Sequence, residues 1–298
     1  MDLAPIVLFV YNRLKHTLQT VEALKKNLLA SESELFIFSD GAKNSNEEIK
    51  VNEVRKYINS IDGFKNISVI TRTINFGLSN NIIDGVTQIV NKYGKIIVLE
   101  DDLVTSPYFL KFMNDGLELY KNEKNVASVH GYIYPIEGLP ETFFIKGADC
   151  WGWATWDRVW NDFELDGRKL LKEIEKRNLQ KEIDFNSSYG YTQMLKDQIK
   201  GKNDSWAVRW YASNYLKDML TLYVGNSLVK NIGLDGSGTH SGKSKLLNSS
   251  NDVNFEYVLG KIKISENLEA RRKMEVYLLS LRLTVFKKFK IKIRTTFL

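Results

Sequence analysis

The chain has 298 residues and a formal net charge of +6, with 43% hydrophobic and 26% charged residues. This length and balance predict one large folded domain with a small appendage. The single cysteine, Cys150, excludes an internal disulfide, and no run of about 18 apolar residues is present to span a bilayer. The N-terminal residues lack the pattern of a signal peptide, so we expect a cytoplasmic protein.

The positive charge is concentrated at the C-terminus. Residues 271–298 hold nine Lys or Arg and one acid, a net charge of +8, whereas residues 1–270 sum to −2. Nucleic-acid-binding proteins usually carry their basic patch on the folded domain, so we expect no nucleic-acid partner. Apolar residues interleave with these cations, which indicates a helix on an anionic membrane surface, peripheral to the inner face of the cell membrane. The alternative is a terminal helix that docks on its own domain.

The first hundred residues alternate between two periodicities. Apolar β-rich runs cover Pro5–Tyr11, Glu34–Ser39, Ile67–Thr71 and Lys95–Leu99, and helical spacing covers Leu14–Leu29, Asn46–Ile61 and Leu78–Lys92. This alternation predicts a Rossmann-like α/β fold, with a parallel sheet covered by helices on both faces. Ligands in such sheets bind beyond the carboxyl ends of the strands, so the polar residues that follow each strand are the candidates for a site.

After residue 125 the pattern becomes mixed. Strands are predicted at Val126–His130 and Thr142–Ile145, and helices at Trp153–Trp160, Arg168–Lys176, Tyr191–Lys200 and from Asp204 to about Leu220. Gly, Ser and Asn dominate residues 234–252, which predicts a mobile loop. We therefore divide the chain into a main domain of residues 1–233 with two parts, 1–103 and 104–233, then the loop 234–252, and a basic amphipathic segment, 253–298.

Three consecutive acids, Glu100, Asp101 and Asp102, follow the fourth predicted strand. Buried carboxylates are costly unless a positive group neutralises them. Carboxylate oxygens suit Mg²⁺ or Mn²⁺, which take one or two protein carboxylates together with phosphate oxygens. The triplet therefore predicts a divalent metal, Mn²⁺ or Mg²⁺, beneath a nucleotide diphosphate. The alternative is a solvent-facing turn whose acids cap a helix beginning near Ser106-Pro107.

The strand, the triplet and the segment Leu103–Phe109 resemble the donor-site motif of the inverting N-acetylglucosaminyltransferases of N-glycan synthesis. They also resemble bacterial glycosyltransferases of surface-polysaccharide pathways, and the order of elements is similar over roughly residues 4–240. The resemblance implies the GT-A fold, a mixed, mainly parallel sheet flanked by helices. Residues 1–233 would then form the catalytic domain, with 1–103 as its nucleotide-sugar-binding half and 104–233 as its acceptor half. It also implies transfer of a hexosyl or N-acetylhexosaminyl group from a nucleotide sugar, with UDP as the nucleotide, to a glycan or lipid-linked glycan acceptor.

The resemblance implies roles for individual residues around the diphosphate. Asp102 would bind the metal, Asp101 would contact the ribose, and Glu100 would contact the donor sugar. Arg13, after the first strand, would reach the diphosphate, and Tyr11 beside it would belong to the same nucleotide site.

Further residues are implied at the nucleobase. Asp40 matches an acid that hydrogen-bonds the base, and its alternative is a turn residue before glycine. The segment Asn75–Ser79 resembles the loop that closes beside the base. The eukaryotic relatives have a histidine on the following helix where this chain has Asn80 or Asn81, and we take Asn81 as the donor-site candidate.

All six tryptophans fall within sixty residues of one another. Small residues flank Trp151 and Trp153, which are therefore candidates to stack on a sugar ring. The segment Cys150–Trp153 also loosely matches a Gly-Leu-Gly-Trp segment near the donor sugar in the resembled family. Trp156 and Trp160 have helical spacing and are assigned to the core.

An inverting transfer needs a carboxylate that takes the proton of the acceptor hydroxyl. Asp204 resembles the base in an Asp-Asp-Trp segment of the relatives, and it also has the position of a helix N-cap. Asp149 is the second candidate and Asp157 the third. His240 lies in a glycine-punctuated loop, and the resemblance implies that it completes the metal shell or touches the diphosphate; the alternative is a solvated histidine. We expect His16 at the surface.

Two other classes remain as alternatives. Sugar-nucleotide pyrophosphorylases have a glycine-rich basic loop directly after the first strand, but Tyr11–Lys15 contains no glycine. A catalytically silent carbohydrate-binding protein at the membrane is the alternative without enzyme activity. Donor turnover in the presence of Mn²⁺ distinguishes it from a transferase.

Overall fold

A computed structural model of the chain describes residues 2–236, 257 and 259–296, with side chains described as far as residue 282. The strands are β1 (Ile6–Val10), β2 (Glu34–Ser39), β3 (Asn66–Thr71), β4 (Lys95–Glu100), β5 (Leu103–Thr105), β6 (Val126–His130), β7 (Thr142–Lys146), β8 (Trp153–Trp156), β9 (Leu220–Val224) and β10 (Val229–Asn231). The helices are α1 (Leu14–Lys25), α2 (Ser45–Ile58), α3 (Leu78–Tyr93), α4 (Phe109–Leu119), α5 (Asp157–Trp160), α6 (Gly167–Lys176), α7 (Gln180–Ile183), α8 (Tyr191–Ile199), α9 (Trp206–Leu216) and α10 (Leu268–Thr296).

The central sheet has the order β3-β2-β1-β4-β8-β6-β9-β7. Strands β3, β2, β1 and β4 are parallel, β8 runs antiparallel to both of its neighbours, and β7 is antiparallel to β9. From β1 the chain adds β2 and β3 on one side and β4 on the other, so the strand order reverses between β1 and β4. A crevice forms at the carboxyl ends of strands at such a reversal, and this is where α/β sheets bind ligands.

Local sequence explains why this half of the sheet is stable. All five residues of β1 are buried, as expected of a parallel strand covered by helices on both faces. Helix α3 covers the sheet with Ile82, Val86, Ile89 and Val90, which recur at helical spacing. It ends at Gly94, whose φ of 76° is the left-handed conformation that glycine adopts at helix C-termini.

The predicted fold class is confirmed: the sheet is mixed and mainly parallel, and helices flank it. The seven elements predicted before the triplet are all present. The prediction of a helix over Trp153–Trp160 is wrong in its first half, because Trp153–Trp156 form β8 and pair with both β4 and β6. Only Asp157–Trp160 are helical.

The beginning of the C-terminal tail docks on the domain. Arg271 is 8% exposed and its guanidinium bonds Glu266 and Glu275 at 3.0 and 3.1 Å. The ring of Tyr277 lies 5.6 Å from that of Tyr134. This part of the tail follows the docked alternative. The membrane prediction also rests on residues 283–298, which lie outside the part with described side chains. Within the described residues, no helix is long and apolar enough to cross a membrane.

Candidate active site

The acidic triplet lies at the reversal of strand order. Glu100 ends β4, opposite Phe9 of β1, and the chain turns at Asp101 and Asp102 before β5 begins. Helix α4 begins only at Phe109, so the alternative in which these acids cap that helix is wrong. Both aspartates are largely buried, with exposed fractions of 4% and 8%. The structure therefore places the triplet beyond the carboxyl end of β4, the kind of position that the sequence indicated for a site.

Arg13 supplies the positive charge that compensates the triplet. Its Nη2 donates to Asp102 Oδ2 at 2.8 Å and also bonds Asp101, whose other carboxylate oxygen accepts from Nε at 3.3 Å. Burial opposes the charge on Arg13, but the attraction of the two carboxylates is larger and raises its pKa. The hydroxyl of Thr20 donates to the backbone carbonyl of Asp101 at 2.9 Å and fixes the turn. One guanidinium thus serves two carboxylates.

The triplet remains short of positive charge. Burial, together with repulsion from Asp102 and Asp101, raises the pKa of Glu100 from 4.5 to about 8. Burial also raises the pKa of Asp101 from 3.8 to about 6, although Arg13 lowers it. Carboxyl groups whose pKa is raised in this way are stabilised by any additional cation.

We expect the stability of the metal-free protein to fall as pH rises from about 5 to about 8. Between its ordinary pKa of 4.5 and its folded value of about 8, Glu100 holds a proton in the folded chain that it has lost in the unfolded chain. The folded state then binds more protons, so the free energy of unfolding decreases with pH. Urea unfolding in a chelator should show this decline, and Glu100→Gln should reduce it. The exposed Glu48→Gln is the matched control; an identical slope in both variants would contradict the assignment.

The residues of the triplet fit a divalent cation that is held jointly with a diphosphate. Among the described residues, no three His, Cys, Asp or Glu side chains converge to form a complete metal site. A metal here would therefore take one or two carboxylates and obtain its remaining ligands from phosphate and water. Arg13 Nη1 is buried beside the triplet without a hydrogen-bond partner, which leaves a donor for an anion. His240, the predicted additional ligand, lies outside the described residues.

The residues after β10 pack against the triplet, and the sequence did not indicate this contact. Strand β10 pairs with β5, Asn231 opposite Leu103, and the next residue, Ile232, donates its N–H to the carbonyl of Asp102 at 2.9 Å. A Cβ added to Gly233 would lie only 2.0 Å from Asp102 Oδ2. Only glycine allows the backbone to approach this carboxylate so closely.

Gly233→Ala is expected to lower turnover about 100-fold, because a displacement of about 1 Å in a catalytic group has effects of this size. The new methyl group must move either the Asp102 carboxylate or the segment after β10. Gly260→Ala is the matched control, since a Cβ there meets nothing within 4 Å. Steady-state kinetics would test this, with urea unfolding to show that Gly233→Ala is folded. Equal turnover in the two variants would contradict it.

The carboxyl ends of β2 and β3 are tied together around Asp40. Its Oδ1 accepts from the backbone N–H of Phe76 at 2.8 Å, and its Oδ2 accepts from Asn75 Nδ2 at 3.1 Å. Asp40 is 5% exposed. It therefore holds the loop that was predicted to close beside the nucleobase, and Gly77 ends that loop at the start of α3.

Arg72 is the residue in this region that sequence reasoning did not assign. Its guanidinium lies over the rings of Phe76, at 4.5 Å, and Phe38, at 5.2 Å. Its Nε donates to Asn81 Oδ1 at 3.1 Å, and Asn81 is 2% exposed. The structure thus places Asn81 behind Arg72, as a support for its guanidinium. Arg72 directly follows β3, and this position in the sequence could have identified it as a candidate site residue.

Tyr11 connects β1 to the start of α2. Its hydroxyl bonds the carboxylate of Glu47 and accepts from the backbone N–H of Lys43 at 3.0 Å. Burial and the bond to Glu47 raise the pKa of Tyr11 to about 12, so its hydroxyl stays protonated. Asn12 donates to the same carboxylate at 3.1 Å.

The two candidate sugar-stacking tryptophans have different environments. Trp151 is half-buried just before β8, and its ring lies 4.7 Å from that of Tyr132. Trp153 is 1% exposed, and its ring lies 5.4 Å from Trp210 and 5.5 Å from Trp206. The prediction that Trp153 lines a sugar site is therefore wrong, because alternation along β8 directs its indole into a tryptophan core.

The predicted base, Asp204, is exposed just before α9, with its carboxylate near Gly77: a Cβ added there would be 3.8 Å from Asp204 Oδ2. Asp204 is not the N-cap of α9. That position belongs to Ser205, whose hydroxyl accepts from the N–H of Val208 at 3.2 Å. Arg209 lies within electrostatic reach of Asp204, and its Nη2 donates to Ser79 at 2.7 Å. The start of α9 is thereby joined to the start of α3.

The second candidate base, Asp149, lies among aromatic residues beyond β7. Its Oδ1 accepts from the N–H of Cys150 at 3.0 Å, and it bonds the hydroxyl of Tyr223. Burial raises the pKa of the Cys150 thiol, and the charges of Asp149, Glu100 and Asp102 raise it further. Cys150, the neighbour of Asp149 in the chain, is therefore within electrostatic reach of Glu100 and Asp102.

His16 is more buried than expected, and His130 lies in the core. His16, expected at the surface, is 9% exposed, and its Nε2 lies 3.2 Å from Asp235 Oδ2. His130 is completely buried; its Nε2 accepts from the N–H of Trp151 at 3.1 Å, and burial lowers its pKa. It orients the segment that carries Trp151.

This sheet, with a carboxylate triplet at its reversal of strand order, is consistent with the GT-A fold. The sequence matches the family model for Glycosyl transferase family 2 over residues 6–188. That is more than half of the chain, so the chain belongs to glycosyl transferase family 2. The pyrophosphorylase alternative is thereby excluded. No curated protein matches the chain.

Solved structures resemble the chain only distantly. S. aureus TarS is 18% identical, with a TM-score of 0.31 over 48% of this chain and 24% of that chain. TarS 1–349 is 14% identical, with a TM-score of 0.41 over 76% and 59%. The mannosyltransferase PcManGT from Pyrobaculum calidifontis, in complex with GDP-Man and Mn²⁺, is 12% identical, with a TM-score of 0.31 over 45% and 39%. This chain therefore covers less than two thirds of each of them.

Proposed function

We propose that this glycosyltransferase is a metal-dependent, inverting enzyme that transfers a sugar from a nucleotide sugar, with UDP as the nucleotide, to a glycan of surface polysaccharide or glycoconjugate synthesis. The observation that carries the proposal is the buried triplet, which a single guanidinium compensates and against which the backbone of Gly233 is closely packed. The excess negative charge of such a site can be neutralised by a divalent cation, which can in turn bind a diphosphate.

In this proposal each part of the site has a chemical role. Asp102 would hold the metal, which would supply positive charge opposite the departing nucleoside diphosphate. Arg13 contacts the diphosphate, Asp101 the ribose and Glu100 the donor sugar. Asp40 and the loop that it holds contact the nucleobase. Trp151 lies beside the donor sugar.

The reaction itself is a single displacement. The oxygen of the acceptor hydroxyl attacks the anomeric carbon while Asp204 accepts the proton of that hydroxyl. The bond between the anomeric carbon and the phosphate oxygen breaks, and its electron pair leaves with the nucleoside diphosphate. The configuration at the anomeric carbon is inverted.

A panel of nucleotide sugars with Mn²⁺ tests the proposal, with nucleotide release and the anomeric configuration of the product as readouts. We expect release from a UDP-sugar that depends on Mn²⁺ and on an added glycan acceptor. A retained configuration would contradict the inverting mechanism. Full activity in a chelator would contradict the metal dependence. No turnover with any donor would favour the carbohydrate-binding alternative.

We also propose that the acceptor is lipid-linked and that the basic tail binds an anionic membrane. Residues 283–298 contribute five of the nine cations of the tail, and Arg271 is already engaged with the domain. Deletion of residues 283–298 should therefore release the protein from anionic vesicles without unfolding it. Sedimentation with anionic and with neutral vesicles measures this. Unchanged binding to anionic vesicles after the deletion would contradict it.

A further inference from the structure

Arg13 contacts the carboxylate that we propose as the metal ligand. Its Nη2 contacts Asp101 and Asp102 simultaneously, and the Asp102 oxygen that it uses, Oδ2, is the one that faces Gly233. A divalent cation coordinated by this oxygen would be next to a guanidinium of the same sign. The two cations therefore compete for the same carboxylates.

The side chain of Arg13 can leave while its backbone stays in place. The carbonyl of Arg13 accepts from the N–H and from the hydroxyl of Thr17, both at 3.0 Å, which fixes the start of α1. The side chain of Arg13 is 18% exposed. Its Nη1 is buried and has no hydrogen-bond partner. A phosphate oxygen would satisfy this donor, since guanidinium groups bind phosphate through two parallel N–H bonds.

We propose that Arg13 is an exchangeable counter-ion, which neutralises Asp101 and Asp102 in the free protein and moves to the donor diphosphate when the metal takes its place. The inference rests on the proposed metal dependence and deepens it. It implies that metal and diphosphate bind cooperatively, because the metal alone must displace a guanidinium that has no new partner. With both ligands present, the displaced guanidinium regains an anion.

Manganese binding without nucleotide tests the exchange, measured from the paramagnetic resonance signal of free Mn²⁺. We expect Arg13→Gln to bind Mn²⁺ about tenfold more tightly than the native protein, within the range typical of coupled sites. Lys15→Gln is the matched control, since it removes a positive charge from an exposed position of the same helix. It should leave the Mn²⁺ affinity unchanged. Arg13→Lys should remain close to the native value.

Two further measurements follow from the same exchange. Arg13→Gln should have a lower Tm than the native protein without metal and a larger increase in Tm on adding Mn²⁺. Its affinity for the manganese complex of pyrophosphate, which mimics the diphosphate without a nucleobase, should fall about tenfold because the anion loses its guanidinium partner.

The outcomes separate the inference from the proposed function. Manganese binding that requires Asp102 but has the same affinity in the native protein and in Arg13→Gln would overturn the exchange alone. An unchanged affinity of Arg13→Gln for the pyrophosphate complex would also overturn it. Absence of Mn²⁺ binding by the native protein, with and without pyrophosphate, would overturn the metal-dependent function.

Discussion

Turnover of the donor is expected to fall about 10³-fold when Asp102 is replaced by alanine, because a bound metal supplies several kcal/mol of charge stabilisation and each ~1.4 kcal/mol is a factor of ten. Asp102 is largely buried at the crevice and contacts Arg13 at 2.8 Å. Nucleotide release in the presence of saturating acceptor measures the loss. Mn²⁺ affinity, measured independently of turnover, should fall in the same variant.

Asp62→Ala is the control for this substitution, since it removes an exposed carboxylate that pairs only at the surface with Lys25. It should retain native turnover. If Asp102→Ala keeps both native turnover and native Mn²⁺ affinity, the role of the triplet is wrong. If it loses turnover while its Mn²⁺ affinity is unchanged, another residue holds the metal.

The second large effect is expected for Asp204→Asn, which should lower kcat by about 10²- to 10⁴-fold, the usual contribution of a general base. The amide preserves the shape of the side chain but cannot accept the proton. Donor binding should remain within about threefold of native, because the nucleotide contacts lie elsewhere in the proposal. Single-turnover kinetics separate the chemical step from binding.

Asp149→Asn is the decisive comparison, because Asp149 bonds the backbone of Cys150, and the thiol of Cys150 is within electrostatic reach of Glu100 and Asp102. If Asp204 is the base, Asp149→Asn should have the smaller effect on kcat. A larger loss in Asp149→Asn, with Asp204→Asn near native, would transfer the role to Asp149. If added azide restores turnover to the impaired variant, this would support a role of the replaced carboxylate in the reaction.

The first half of the fold could be predicted because its signals are local. Strands β1, β2 and β4 each contain a continuous apolar run, β3 alternates apolar and polar residues, and the helices between the strands have one apolar face. The error at β8 arises from spacing: Trp153, Trp156 and Trp160 have the separation of one helical face. β8 lies between β4 and β6, and its residues are buried on both faces of the sheet. A strand of this kind shows no alternation of polar and apolar residues in its sequence.

The site was predictable only where its residues follow strands. Arg13 and the triplet come directly after β1 and β4, whose pairing brings them together. Gly233 is about 130 residues further along the chain, and its role depends on how β10 pairs with β5. These two strands have three residues each, too few for a periodicity to appear. Close approach of a backbone to a carboxylate has no local signature in sequence.

The reversed direction of β8 brings the loop that carries Trp151 to the edge of the sheet that holds the triplet. Because β8 runs opposite to β4, with Trp153 opposite Val98, the segment before it arrives at the edge where β4 ends. The loop that carries Trp151 can thus lengthen or change sequence without disturbing the parallel pairing of β1 to β4. Recognition of the donor sugar, which we propose for Trp151, can therefore diversify while β1 to β4 keep their geometry.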